Sequence, residues 1–178
     1  MNTSDFSTAP QTSTTMMTAL FRNRADFDRA YASLSARGYD TKDVNVLMSD
    51  EARRKHFAAD DSADKALEGA GVGSAVGGTV GAIVAAIAAI GTSLVLPGLG
   101  LVVAGPLAAA LAGAGAGGLA GGLVGALVGS GVPEDRARVY ETGLKEGGIV
   151  VGVRPRTAQD AADIEREWKT AHAEHVWR

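Results

Sequence analysis

Between Glu68 and Glu134 the chain carries no charged residue and no histidine, and within that run small residues return at every fourth position. Gly69, Gly73, Gly77 and Gly81 form one series, which Ala85 and Ala89 continue. Gly105, Ala109, Gly113, Gly117, Gly121, Gly125 and Gly129 form a second. Glycine costs a helix interior about 0.8–1 kcal/mol relative to alanine, so helices this rich in it need another backbone at close range. Four-residue steps trace an i±4 ridge, which favours a right-handed crossing near about −40 to −50°. Pro97, Gly98 and Gly100 are turn residues. The run 69–133 therefore reads as a glycine-zipper helical hairpin. Each arm, at about 25 residues, exceeds the roughly 20 that cross a bilayer.

The flanks read differently. Met17, Ala19 and Phe21 alternate as a strand. Asn23 is placed to cap a helix with Asp26 in its first turn, and Phe27, Ala30, Tyr31 and Leu34 make its apolar stripe. Gly38 suits its C-terminal end, and Val44, Val46 and Met48 alternate as a second strand. After the run, Pro133 suits the first position of a helix with stripe residues Ala137, Tyr140 and Leu144, which Gly147 and Gly148 end. Ile149, Val151 and Val153 follow as a third strand. Thr157 caps a last helix with an apolar face of Ala161, Ile164, Trp168 and Ala171. Neither flank is large enough to bury a core alone.

Together the flanks predict an α+β or α/β fold. It has a small three-stranded βαβ–αβ domain, its first two strands parallel, that is interrupted by the hairpin and followed by a C-terminal helix. The expected divisions are a disordered tail (1–15), the first half-domain and linker (16–68), the hairpin (69–133), the second half-domain (134–155) and the helix (156–178). The tail has neither a basic n-region nor an apolar h-region, so no secretory signal is expected.

Four stretches are similar to the bacterial heat-induced general stress protein family, the general stress protein 17M-like domain. They are MTALFRNRADFDRAYASLSARGY, DVNVLMSD, LVLPGLGLVVAGPLAAALAGAGAGG and LVGALVGSGVPEDRARVYETGLKEGGIVVGV, which together span about residues 17–154. The resemblance implies a stress or envelope role, within a stress-associated bacterial family that has no established enzymatic activity, and supplies no catalytic residues.

The remaining motifs point away from chemistry. There is no cysteine, and the net charge of −3 gives no basic excess for nucleic acid. Gly113, Gly115 and Gly118 spell G-x-G-x-x-G, but inside a Gly/Ala run with no acidic partner. Asp60, Asp61 and Asp64 lack the glycine and terminal glutamate of a calcium loop. His172 and His175 fall near the chain end as two ligands at most, and His56 stands alone in a charged stretch. The reading is a non-enzyme without cofactor, metal or small-molecule substrate. It oligomerises with itself through Gly69, Gly73, Gly77, Gly81, Gly113, Gly117, Gly121, Gly125 and Gly129, with Pro97, Gly98 and Gly100 at the turn. Membrane lipid is its expected surrounding, with both termini in the cytoplasm. Arg53, Arg54, Lys55 and Lys65 before the run, and Arg136 and Arg138 after it, fit that orientation. No Trp or Tyr marks either boundary of the run. That favours the alternative, a soluble assembly whose apolar core is made of hairpins.

Overall fold

The computed structural model describes residues 15–57, 94–96, 100–109, 122–129 and 131–178. In chain order the elements are β1 (Met17–Phe21), α1 (Arg24–Ala36), β2 (Val44–Ser49), α2 (Asp50–Phe57), β3 (Leu94–Leu96), β4 (Leu101–Ala104), α3 (Gly122–Gly129), α4 (Glu134–Lys145), β5 (Ile149–Val153), α5 (Ala158–Thr170) and β6 (Glu174–Trp177). The six strands form one sheet in the order β3-β4-β2-β5-β1-β6, and every neighbouring pair is antiparallel.

The three expected strands are present, but their arrangement differs from the expectation. β1 and β2 each pair antiparallel with β5, from Met17↔Val153 to Phe21↔Ile149 and from Val44↔Val153 to Met48↔Ile149. They therefore run in the same direction with β5 between them. The α5 connection repeats the device, since β5 and β6 lie on either side of β1. Two split β-α-β units thus interleave. The second half-domain adds its strand through the middle of the first, and this is how two fragments too small to fold alone share one core.

Both faces of the sheet are covered. On one, α1 and α5 pack Phe27, Tyr31, Leu34, Ile164 and Trp168 against Phe21, Val46, Val151 and Val153. On the other, α4 and α3 pack Tyr140, Leu144, Leu123 and Leu127 against Leu20, Leu47, Leu101, Val103 and Val150. Residues alternate between the two clusters along β1, β2, β4 and β5, the period-two rule of a pleated sheet covered on both sides.

Three sequence expectations are corrected. The residues flanking Pro97–Gly100 are strands, not helix ends. β3 and β4 pair from Leu94↔Val103 to Leu96↔Leu101, and β4 pairs onward with β2. The turn expected at Pro97, Gly98 and Gly100 therefore joins two sheet strands instead of the arms of a helical hairpin. Gly100 lies in the left-handed region at φ +60°, while Pro97 and Gly98 lie outside the described residues. Second, Gly105 is not a helix-packing residue. It sits at φ +91°, and a Cβ there would overlap the backbone carbonyl of Val44, so glycine is required where the chain turns against β2. Third, the last helix stops at Thr170, and the chain returns as edge strand β6.

Residues 58–93 and 110–121 lie outside the described residues. Both ends of each segment belong to the same folded unit, because α2 and β3, and residues 106–109 and α3, all pack on one sheet. The charge-free part of the first segment, 69–93, has 25 residues. Among the described residues no helix is long and apolar enough to cross a membrane. The membrane-spanning hairpin expected over residues 69–133 lies for the most part outside the described residues.

Candidate functional site

The surface that offers most to a partner is built on α3. Asn45, buried between Val44 and Val46, accepts a hydrogen bond from the Leu107 amide at 2.7 Å and donates to Met16 Sδ at 3.5 Å. With Gly105 against Val44, this bond fixes where the apolar run leaves β4. When the run is described again, Leu123 and Leu127 bury one side of α3 in the second core face. The α3 end closes on Gly131, whose amide bonds to the Val128 carbonyl at 2.9 Å, while the Val132 amide reaches Leu127 at 3.0 Å.

The other side of α3 faces outward. Val128 is 42% exposed, an outlier among the large apolar residues described. Gly125 and Gly129 are exposed beside it, and a Cβ at either would meet nothing within 4 Å among the described residues. The fold described here does not require glycine at these two positions, unlike Gly105. An open groove of about 440 Å³ runs between α3 and α4, lined by Gly122, Val124, Gly125, Val128, Glu134 and Arg138 among others. Its rim charge is self-neutralised, with Arg138 donating to Glu134 at 2.6 Å. Two carboxylates line the groove, Glu134 and Glu141, and each is held in an ion pair, with Arg138 and with Lys145.

Of the expected packing glycines, Gly125 and Gly129 are thus brought together on one exposed helix face. Gly69, Gly73, Gly77, Gly81, Gly113, Gly117 and Gly121 lie outside the described residues, as do the Asp60–Asp64 stretch and the G-x-G-x-x-G match. Among the described residues no group of three His, Cys, Asp or Glu side chains gathers where a metal ion could be held. Asn45, Gly105 and Val128 were not foreseen as site residues. The signal for Asn45 was a polar residue inside an otherwise apolar strand.

Two polar clusters lie on the opposite side of the sheet. At the C-terminus of α1, Arg37 pairs with Glu167 and Asp160, Tyr39 donates to Asp160, and the Arg156 guanidinium stacks 4.3 Å from the Tyr39 ring centre. The Arg37 hydrogen bond holds the Glu167 carboxyl below its ordinary range. Burial, with the Asp160 hydrogen bond adding to it, pushes the Tyr39 phenol up. At the N-terminus of α1, Asn23 caps the helix, its side chain accepting from the Asp26 amide at 2.9 Å. The Asp26 carboxylate takes Arg29 and Asn23 as partners and lies 3.2 Å from His172 Nδ1. Burial raises the Asp26 carboxyl, but the His172 and Asn23 hydrogen bonds and the Arg29 charge outweigh it, leaving it below its ordinary value. These charges are paired with one another and tie α1 to α5.

Trp168 is fully buried, edge-on to Phe21 with ring centres 6.1 Å apart, as its stripe position predicts. Tyr140 donates to the His175 carbonyl at 2.6 Å and lies 2.9 Å from Thr18 Oγ1, which ties α4 to β6 past β1. Burial, opposed by the Thr18 bond, raises its phenol and keeps it neutral. No family model, no curated protein and no solved structure matches the chain.

Proposed function

We propose that this chain is a non-enzymatic self-association protein, whose α/β scaffold presents a charge-free, glycine-rich run to further copies of itself. One observation carries the reading. On α3, Gly125 and Gly129 spend helix stability without serving the described fold, and they flank the exposed Val128. Small residues at four-residue spacing let a second backbone approach closely, and the same spacing continues back through Gly121, Gly117 and Gly113. Of the two assemblies the sequence allows, the sheet topology favours one held together by protein contacts. The resemblance to the heat-induced general stress family supplies the physiological expectation, a rise in abundance on heat shock.

Molecular mass measured by light scattering in detergent-free buffer tests the reading. The wild-type chain is expected as an oligomer whose size does not change when detergent is added. Gly125→Leu, Gly129→Leu, Gly117→Leu and Gly121→Leu each shift it toward monomer, whereas Gln159→Leu on the exposed side of α5 does not. A monomer at every concentration, or equal loss from the control, sinks the proposal.

A further inference from the structure

Four helices of the described residues end in one hydrogen-bond pattern. In each, the amide two residues past the C-cap bonds to a carbonyl five residues earlier: Tyr39 to Leu34, Val132 to Leu127, Gly148 to Gly143 and Ala173 to Trp168. The residue before each of these donors takes a left-handed backbone. In α1, α3 and α4 that residue is glycine: Gly38 at φ +78°, Gly131 at +93° and Gly147 at +86°. In α5 it is His172 at φ +57°. A side chain in this region is disfavoured, and three sister positions in the same chain take the unstrained solution.

The imidazole makes contacts that glycine cannot. Its Nδ1 lies 3.2 Å from Asp26 Oδ1 and 3.3 Å from an Arg29 terminal nitrogen. Asp26 is the receiving group, its side chain only 10% exposed. The turn that His172 shapes leads directly into β6, an edge strand that pairs with β1 alone and shifts register between Thr18 and Leu20. Further ties of β6 are the Tyr140 bond to the His175 carbonyl, the Arg22–Glu174 ion pair and the packing of Val176 against the first core cluster.

We propose that His172 is a latch: its ring, held through Nδ1 on the Asp26 carboxylate of α1, retains the α5–β6 turn in a left-handed conformation that the backbone alone disfavours, and so docks edge strand β6 on the sheet. With the ring engaged, the strain is offset. With the ring released, the turn relaxes and β6 is the first strand to leave.

A double-mutant cycle on the full-length chain reads the coupling directly. His172→Gly removes both the strain and the contacts. In the wild-type background it leaves the folding equilibrium constant unchanged or lowered. In an Asp26→Asn background, where the main partner is already weakened, the same change raises the constant about fivefold, the gain expected from relieving one left-handed side chain. An equal gain in both backgrounds overturns the latch. Hydrogen exchange on the single variant His172→Ala, which keeps the left-handed strain but loses the ring's contacts, keeps the test open if Asp26→Asn fails to fold. The amides of Glu174–Trp177 are expected to exchange at least tenfold faster while those of β5 hold their rates, and unchanged β6 exchange overturns the proposal equally.

Discussion

The two faces of the sheet are covered by different kinds of sequence. The face under α1 and α5 is drawn almost wholly from the charged flanks and is aromatic, with Phe21, Phe27, Tyr31, Tyr39 and Trp168. The face under α3 and α4 takes much of its substance from the charge-free run: Leu101, Val103, Leu107, Leu123, Leu127 and Val132. A run that reads as an appendage to the domain thus completes the domain's second core. Among its described residues part is sheet and part is core, and the outward side of α3 is left open. What such a run does follows from where the folded unit takes hold of it as well as from its composition.

The largest test of that contrast is Leu127→Ala. Leu127 is fully buried, and truncation is expected to cost about 2–5 kcal/mol, as Ile164→Ala does on the opposite face. Denaturant unfolding measures both. If Leu127→Ala leaves stability unchanged, the run is a detachable insertion and the two faces are not equivalent. Gly105→Ala comes next, at about 2–3 kcal/mol, because it joins left-handed strain to an overlap with the Val44 carbonyl. Its failure would free the run from β2.

The aromatic face has its own acid limb. Asp26 titrates below its ordinary value in the folded chain, so its contribution is fully present above the unfolded-state pKa, about 3.9. That contribution is lost as pH falls toward the lower folded value. Asp26→Asn should flatten the fall in stability across that window in pH-dependent unfolding, and an unaltered slope would place the acid limb elsewhere. The smallest effect is Gly125→Ala, which should raise stability by about 0.5–1 kcal/mol. A loss there would mean that the position is packed within the chain rather than open.

The flanks were legible because their periods are unambiguous. Phe27, Ala30, Tyr31 and Leu34 admit only a helix, and Asn23 with Asp26 and Thr157 with Asp160 mark helix starts that the structure retains as side-chain caps. Pro133 proved to be the cap residue of α4 and not its first helical position. Strands β3 and β4 were not legible. Leu-Val-Leu-Pro-Gly-Leu-Gly-Leu-Val-Val is continuously apolar, and a short apolar run has no period to separate buried strand from buried helix. The end of α5 was missed for a different reason. The stop signal is usually glycine, and here the left-handed position is occupied by His172, so the apolar stripe ending at Ala171 gave no sign of the strand that follows. On α3 the spacing of Gly125 and Gly129 was visible, but which side of the helix stays open depends on Leu123 and Leu127 meeting the sheet.

Strand β5 lies between β1 and β2, although it is made more than a hundred residues after either begins to pair with it. During synthesis, the chain from Met17 through the whole apolar run therefore emerges before the strand that closes the sheet exists. Its leucines and valines wait exposed until Val153 has cleared the ribosome. For that interval, glycine and alanine in place of larger apolar residues keep the waiting run weakly adhesive, and the nascent chain is where a chaperone would find its longest opportunity.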